Sequence, residues 1–207
     1  MITIFFVIVL IFSVIIHEIS HGYVALWLGD TTAKDAGRLT LNPLAHIDLF
    51  GSILFPLMLA LVGAPVFGWA KPVPYDPRFL KNPQKAAGLI ALAGPASNLA
   101  MAIIFALVSR ILLGSLATEF TASLYLFVVI IVQVNVALAV FNLLPIPPLD
   151  GSGVLFSLLP RGTERVQIFL QRYGFYILIF LIFTGLNFLN PVMSALYRLL
   201  LGPMPMQ

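Results

Sequence analysis

The chain contains no cysteine. Disulfides are therefore excluded, and so is any metal site built on thiolate. Charge is scarce as well. Only 9% of the 207 residues are Asp, Glu, Lys or Arg, against about 25% in an ordinary soluble domain. Histidine is rarer still, with three in the chain. So little polarity cannot cover a water-facing surface, and 60% of the residues are hydrophobic. Several apolar runs reach the roughly 20 residues that a hydrocarbon core demands. The composition predicts an all-α polytopic membrane protein, and the length leaves no room for a separate soluble domain of typical size. The net charge is +3, but the basic residues form no nucleic-acid patch. In a membrane protein they are topology signals. Met1-Ile2-Thr3-Ile4 provides no basic n-region, and no small-x-small cleavage site follows. We expect an uncleaved N-terminal span without a lipidation or retention motif.

Apolar runs cover residues 2–28, 49–67, 88–113, 122–144 and 173–189. The run 49–67 is short and holds Pro56, Gly63 and Pro65, which suits a re-entrant or broken segment as well as a full span. Residues 161–172 are polar and basic, and residues 191–207 are apolar but broken by Pro203 and Pro205. There is no internal repeat and no low-complexity tract. Charge bias tests the topology. If 49–67 does not cross, residues 30–48, 68–87 and 145–172 share one side. They hold Lys34, Arg38, Lys71, Arg78, Lys81, Lys85, Arg161, Arg165 and Arg172, and of the eleven basic residues only Arg110 and Arg198 lie elsewhere. The positive-inside rule then assigns these loops to the cytoplasm and the N-terminus to the outside. A crossing segment would put two basic loops on opposite sides.

Between the run 49–67 and the next span lies Gly68-Trp69-Ala70-Lys71-Pro72-Val73-Pro74-Tyr75. It is too proline-rich for a helix and reads as extended chain or a short edge strand at the interface. Trp69 and Tyr75 suit the headgroup level. An unwound peptide could add to such an edge as a strand. Pro72 and Pro74 strip N–H donors from one edge, so Val73 and its same-face neighbours would have to pair through the other.

His17-Glu18-Ile19-Ser20-His21 fits the H-E-x-x-H pattern. Four residues turn a helix by about 400°, so His17 and His21 share a face one turn apart and both imidazoles can reach one cation. Glu18 projects from an adjacent direction, near the water that a zinc bound there would hold. The pKa of such a water can fall to about 7, and a neighbouring carboxylate can take its proton. A charged group at mid-membrane costs roughly 2.5–3.5 kcal/mol on insertion scales, so polar residues there mark function. The bland alternative is a packing cluster or proton relay. A catalytic zinc usually has three protein ligands. Without cysteine, the third is the remaining histidine or a carboxylate. Of the eight carboxylates, Glu18 is already used, and Asp30, Asp35, Asp48, Asp76, Glu119 and Glu164 lie in polar loops. Asp150 stands apart. It follows a long apolar span and Pro145-Ile146-Pro147-Pro148, a stiff run that can hold extended chain at membrane depth and aim a carboxylate inward.

The two parts together resemble the site-2 protease family of intramembrane zinc metalloproteases. The resemblance is carried by His17-Glu18-Ile19-Ser20-His21 and by Asn142-Leu143-Leu144-Pro145-Ile146-Pro147-Pro148-Leu149-Asp150-Gly151, which fits N-x-x-P-x-P-x-L-D-G. Ala93-Gly94-Pro95-Ala96-Ser97-Asn98 is similar to the family's glycine-and-asparagine motif, and Asn42-Pro43-Leu44-Ala45-His46-Ile47-Asp48 to a segment of small bacterial members. The match covers about residues 10–155. It implies that His17, His21 and Asp150 bind one zinc ion per chain and that Glu18 is the general base. It implies a three-helix core of residues 2–28, 88–113 and 122–144. It also implies a substrate that is a transmembrane segment of another protein, locally unwound and cut near the cytoplasmic face. No PDZ or CBS domain fits, so we expect a single metalloprotease domain over residues 1–207. Its core would cover about 2–155, with C-terminal helical segments over about 160–207.

Three further residues have two readings each. Asn142 could hold substrate backbone or orient Asp150, or simply end a helix. Asn98 could hold substrate or stabilise an oxyanion, or make an interhelical hydrogen bond of about 0.6 kcal/mol. His46 could stabilise the tetrahedral intermediate or gate access, or be an interfacial loop residue. The expected function is an intramembrane zinc endopeptidase in a lipid bilayer, with a transmembrane protein or peptide as partner and no nucleic acid. The sequence gives no oligomeric state. A metal-ion transporter is the rival, since intramembrane His and carboxylates also mark ion pathways. Transport calls for several weak sites along a route, however, and here the polar groups converge on one. A non-catalytic scaffold that binds membrane helices is a third reading, against which the intact Glu18 argues.

Overall fold

A computed structural model describes residues 2–114, 118–160 and 162–202. Met1, Arg161, Pro203 and Pro205 of the sequence argument lie outside the described residues. The described helices are α1 Ile2–Trp27, α2 Thr32–Asp35, α3 Phe55–Leu61, α4 Pro83–Leu113, α5 Glu119–Asn142, α6 Asp150–Leu158, α7 Glu164–Thr184 and α8 Asn190–Leu201. Of these, α1, α4, α5 and α7 are long and apolar enough to cross a membrane. The chain is a multi-pass, all-α membrane protein.

Local chemistry sets the helix ends. Asn82 caps α4 through its side chain, with Pro83 at the first helical position. Thr118 and Thr121 form a reciprocal capping box at the start of α5. Pro145 follows the end of α5, as the restriction on residues before proline requires. The span expected at 173–189 instead belongs to α7, which starts at Glu164 and ends at Thr184. Its opening turns carry Glu164, Arg165, Gln167, Gln171 and Arg172, so hydropathy hid them.

The core is α1, α4 and α5, with α4 packed on both others. Small residues allow close approach, as van der Waals packing in lipid favours. Ala102 and Ala106 of α4 meet Val132 and Val136 of α5, with Leu201 of α8 against them. Arg110, near the far end of α4, donates to the carbonyls of Leu199 and Leu200 and so satisfies the end of α8. α6 lies on α4 where a Cβ at Gly88 would collide with Ser157 and one at Gly153 would press on Ala91.

Residues 49–67 do not cross. A wide helical turn, Leu49–Leu54, is capped by the Asp48 carboxylate and leads into α3. The chain then returns, and the Trp69 N–H bonds to the Gly51 carbonyl at 3.1 Å. Ser52 Oγ donates to the Trp69 carbonyl at 2.8 Å. The Trp69 ring lies over Gly51, beside Phe50 and Phe55. Both ends of the segment therefore meet at one place, which is what a re-entrant hairpin requires.

Residues 69–75 carry no helix or turn, and among the described residues no strand forms. The main-chain groups of this stretch are taken by loops and by a side chain of α1 rather than by a neighbouring strand. The Lys71 N–H goes to the His46 carbonyl, the Lys71 carbonyl accepts from Arg38, and the Val73 N–H goes to Glu18.

Candidate metal centre

His17 and His21 stand one turn apart on the inward face of α1, both buried. Their ring centroids lie 4.7 Å apart, nearly perpendicular. Asp150 arrives from far along the chain, in the first turn of α6, where the helix dipole favours a carboxylate. Gly151 makes this approach possible, because a Cβ there would collide with the carbonyls of Leu143 and Leu144. His17 Nε2 lies 2.9 Å and His21 Nε2 3.4 Å from Asp150 Oδ2. One ligand atom from each of the three residues falls within 4.8 Å of the others.

The hydrogen bonds fix which imidazole nitrogen carries the proton. Asn98 gives its amide to the Ser13 carbonyl at 3.3 Å and to Asn135 Oδ1 at 3.0 Å. Its Oδ1 must therefore accept from His17 Nδ1, at 2.6 Å. His21 Nδ1 faces the Ile90 carbonyl at 2.6 Å, and a carbonyl can only accept. In the neutral rings, the form that ligates a metal, both Nε2 atoms are then left with lone pairs. Those lone pairs converge on Asp150 Oδ2, a buried oxygen with no hydrogen-bond partner. Three acceptors without a donor repel one another unless a cation sits among them. Ligand atoms about 2.0–2.2 Å from a tetrahedral zinc lie roughly 3.3–3.6 Å apart, a range that holds the His21–Asp150 distance and lies somewhat above the His17–Asp150 one. Space is kept by Gly94, where a Cβ would come within 2.5 Å of both Nε2 atoms. The donor set thus fits zinc, with two borderline nitrogens and one hard oxygen.

Glu18 does not join this group. Its Oε2 accepts the Val73 N–H at 3.0 Å. Asn98 is fully buried and committed to His17, Ser13 and Asn135. Asn142 donates to the Leu138 carbonyl one turn back at 2.9 Å, and no hydrogen bond among the described residues joins it to Asp150. His46 is buried away from the cluster, with its Nε2 on the Thr40 carbonyl at 2.8 Å. Two participants escaped the sequence reading, Ser13 and Asn135. Asn135 donates to Ser13 Oγ at 3.0 Å and to the Ile131 carbonyl at 2.9 Å, so α1, α4 and α5 share one buried polar network behind His17. A lone asparagine in the middle of an apolar run was the signal that could have found it.

Comparison with known proteins decides the family. A model of Peptidase family M50 matches residues 5–123 and 116–183. The chain belongs to this family, that of the site-2 proteases. As an M50 member it is a zinc metalloprotease and a membrane protein. It is 43% identical over 196 residues to a Bacillus subtilis protein named "Putative zinc metalloprotease YwhC", covering 92% of this chain and 86% of that one. It is 30% identical over 172 residues to Rip2 of Mycolicibacterium smegmatis, which has the same description, covering 83% of this chain and 64% of Rip2. Rip2 of Mycobacterium tuberculosis is 29% identical over 184 residues, covering 88% of this chain and 66% of its own length. No solved structure matches the chain.

Proposed function

We propose that this M50 peptidase cuts a peptide bond in or near a transmembrane segment of another protein. In this reading His17, His21 and Asp150 hold the zinc and Glu18 is the general base. One observation carries the proposal. Two imidazole lone pairs and an unpartnered carboxylate oxygen converge on a helix long and apolar enough to cross a membrane. A substrate reaching that depth must itself be in the bilayer. The basic loops support an orientation in the cell membrane with the N-terminus outside and the site toward the cytoplasm.

When bound, zinc supplies Lewis acidity toward the scissile carbonyl and toward water. The chain's own groups do the rest. The Nδ1–H bonds of His17 and His21 keep each Nε2 lone pair inward and raise the ligands' basicity. Glu18 takes a proton from the attacking water and delivers it to the leaving amine. Substrate must unwind first, because a helix keeps its carbonyls in hydrogen bonds. Asn98 serves in this scheme by orienting His17.

The test is cleavage of a model transmembrane substrate by purified protein in bilayers, alongside tightly bound zinc. Glu18→Gln should keep zinc and fold but lose cleavage. Activity retained in that variant would remove Glu18 as the base. Asp150→Asn should lower zinc content, and an unchanged content would take Asp150 out of the ligand set. Metal flux into proteoliposomes without cleavage would favour a transporter.

A further inference from the structure

Residues 69–73 form a strap that runs from the hairpin at Gly51 to Glu18, with its main-chain groups sorted by side. In extended chain, alternate residues face the same way. That alternation is seen in the bonds, for the N–H groups of Trp69, Lys71 and Val73 reach the Gly51 carbonyl, the His46 carbonyl and Glu18 Oε2. Pro72 and Pro74 have no N–H. The Val73 amide is thus the sole main-chain donor between Lys71 and Tyr75, and Glu18 receives it. The Val73 side chain rests over Gly22, next to His21, where a Cβ would stand 2.9 Å from Val73 Cγ1.

Two buried side chains hold the strap at Lys71. Arg38 is only 8% exposed, and its Nη2 donates to the Lys71 carbonyl at 2.6 Å. Among the described residues it has no carboxylate partner, and its Nε is buried without an acceptor. A guanidinium taken out of water without a counter-ion is costly, so a merely solvated loop charge does not explain it. His46 is 3% exposed. Its ring closes the loop back to Thr40, which fixes the carbonyl that takes the Lys71 N–H.

We propose that Arg38 and His46 are positioning residues for the Glu18 carboxylate, acting through Lys71 and the Val73 amide. The amide holds Oε2 and leaves Oε1 to take the proton. Neither side chain touches substrate or metal in this scheme. The proposal rests on Glu18 as the base, and it gives the third histidine and the buried arginine one common task. The contrary reading of the same contact is a brake, in which the strap occupies Glu18 until substrate displaces it.

The experiment uses the full chain with zinc bound and a model transmembrane substrate. Val73 is replaced by its α-hydroxy acid through nonsense suppression, which exchanges the one N–H for an ester oxygen. Arg38→Ala, Arg38→Lys and His46→Ala are made in parallel. The chain has three glutamates, Glu18, Glu119 and Glu164. In a Glu119→Gln/Glu164→Gln background, carbon-13 glutamate therefore labels the Glu18 carboxylate alone for infrared spectroscopy. The ester should shift the Glu18 carboxylate stretch and lower kcat on the order of 10–100-fold, as a small misplacement of a reacting group does. KM and zinc content should hold. Arg38→Ala and His46→Ala should give the same infrared shift and kcat loss, and Arg38→Lys should recover much of both. A raised kcat in the ester would establish the brake and overturn the proposal. Loss of activity in the Arg38 and His46 variants with an unmoved Glu18 band would overturn it as well. A wild-type protein that cuts no transmembrane substrate would sink the proposed cleavage of membrane segments, while the infrared band of the zinc-free chain would still decide the strap's contact with Glu18.

Discussion

Asn98 divides one side-chain amide between two duties, with its oxygen on His17 and its nitrogen on Ser13 and Asn135. In the proposed zinc site the first duty would serve the metal and the second the bundle, and they can be separated. Asn98→Ala should weaken zinc about 10–100-fold, the usual effect of losing an outer partner of a ligating histidine. Competition with a chromophoric chelator measures this. Asn135→Ala leaves the His17 bond in place, so it should lower the melting temperature with little change in zinc affinity. Equal losses in the two variants would show that the network acts only on stability. The sequence announced His17, Glu18 and His21 as candidates by their spacing within an apolar run, where a polar group is expensive, and Asp150 by the stiff proline run before it. It did not announce how Asn98 is used, because acceptor and donor ends of an amide look alike until partners are known.

Among the elements, the junction after α1 has its own titrating lock. Asp30 is fully buried and accepts from the Thr32 N–H, the Thr32 hydroxyl and the Asp76 N–H. Burial pushes its carboxyl up, but these donors outweigh that and hold it below the ordinary carboxylate range. Since the folded value lies below the unfolded one of about 3.9, the stabilisation is full above that pH and fades as pH falls through the folded value. The melting-temperature gap between wild type and Asp30→Asn should therefore be constant near neutrality and close as pH drops below about 4. A gap that widens in acid would contradict this assignment. Asp30 read as one loop carboxylate among several, because its donor at Asp76 is distant in sequence. The long spans α1, α4 and α5 were legible from apolar runs alone. The polar start of α7 and the helix α6 were not, since one is amphipathic and the other too short for hydropathy to register.

For the whole molecule, the return of Trp69 to Gly51 makes α1, α4 and α5 the successive crossings of the core, so α4 runs opposite to the other two. The absence of cysteine makes this testable on a native background. Single cysteines at Lys34, Lys81 and Arg165 should react with an impermeant maleimide only from the cytoplasmic side, and one at Glu119 only from the other. Labelling of Lys34→Cys and Lys81→Cys from opposite sides would refute the re-entrant hairpin. Charge counting had reached the same non-crossing topology from nine basic residues. It could not supply the reason, which is the aromatic and hydrogen-bonded closure of the hairpin on itself.

The buried network behind His17 also bears on how the protein is made. α1 leaves the ribosome first, carrying Ser13, His17 and His21, while Asn98, Asn135 and Asp150 are still untranslated. For that interval each polar side chain of α1 faces the bilayer or the insertion machinery unaccompanied, so α1 must enter on the strength of its flanking Ile, Val and Phe residues. The arrival of α4 supplies the first partners and that of α5 the next. Assembly is thereby ordered by the chain itself, and the cluster of His17, His21 and Asp150 is complete only once α6 has been made.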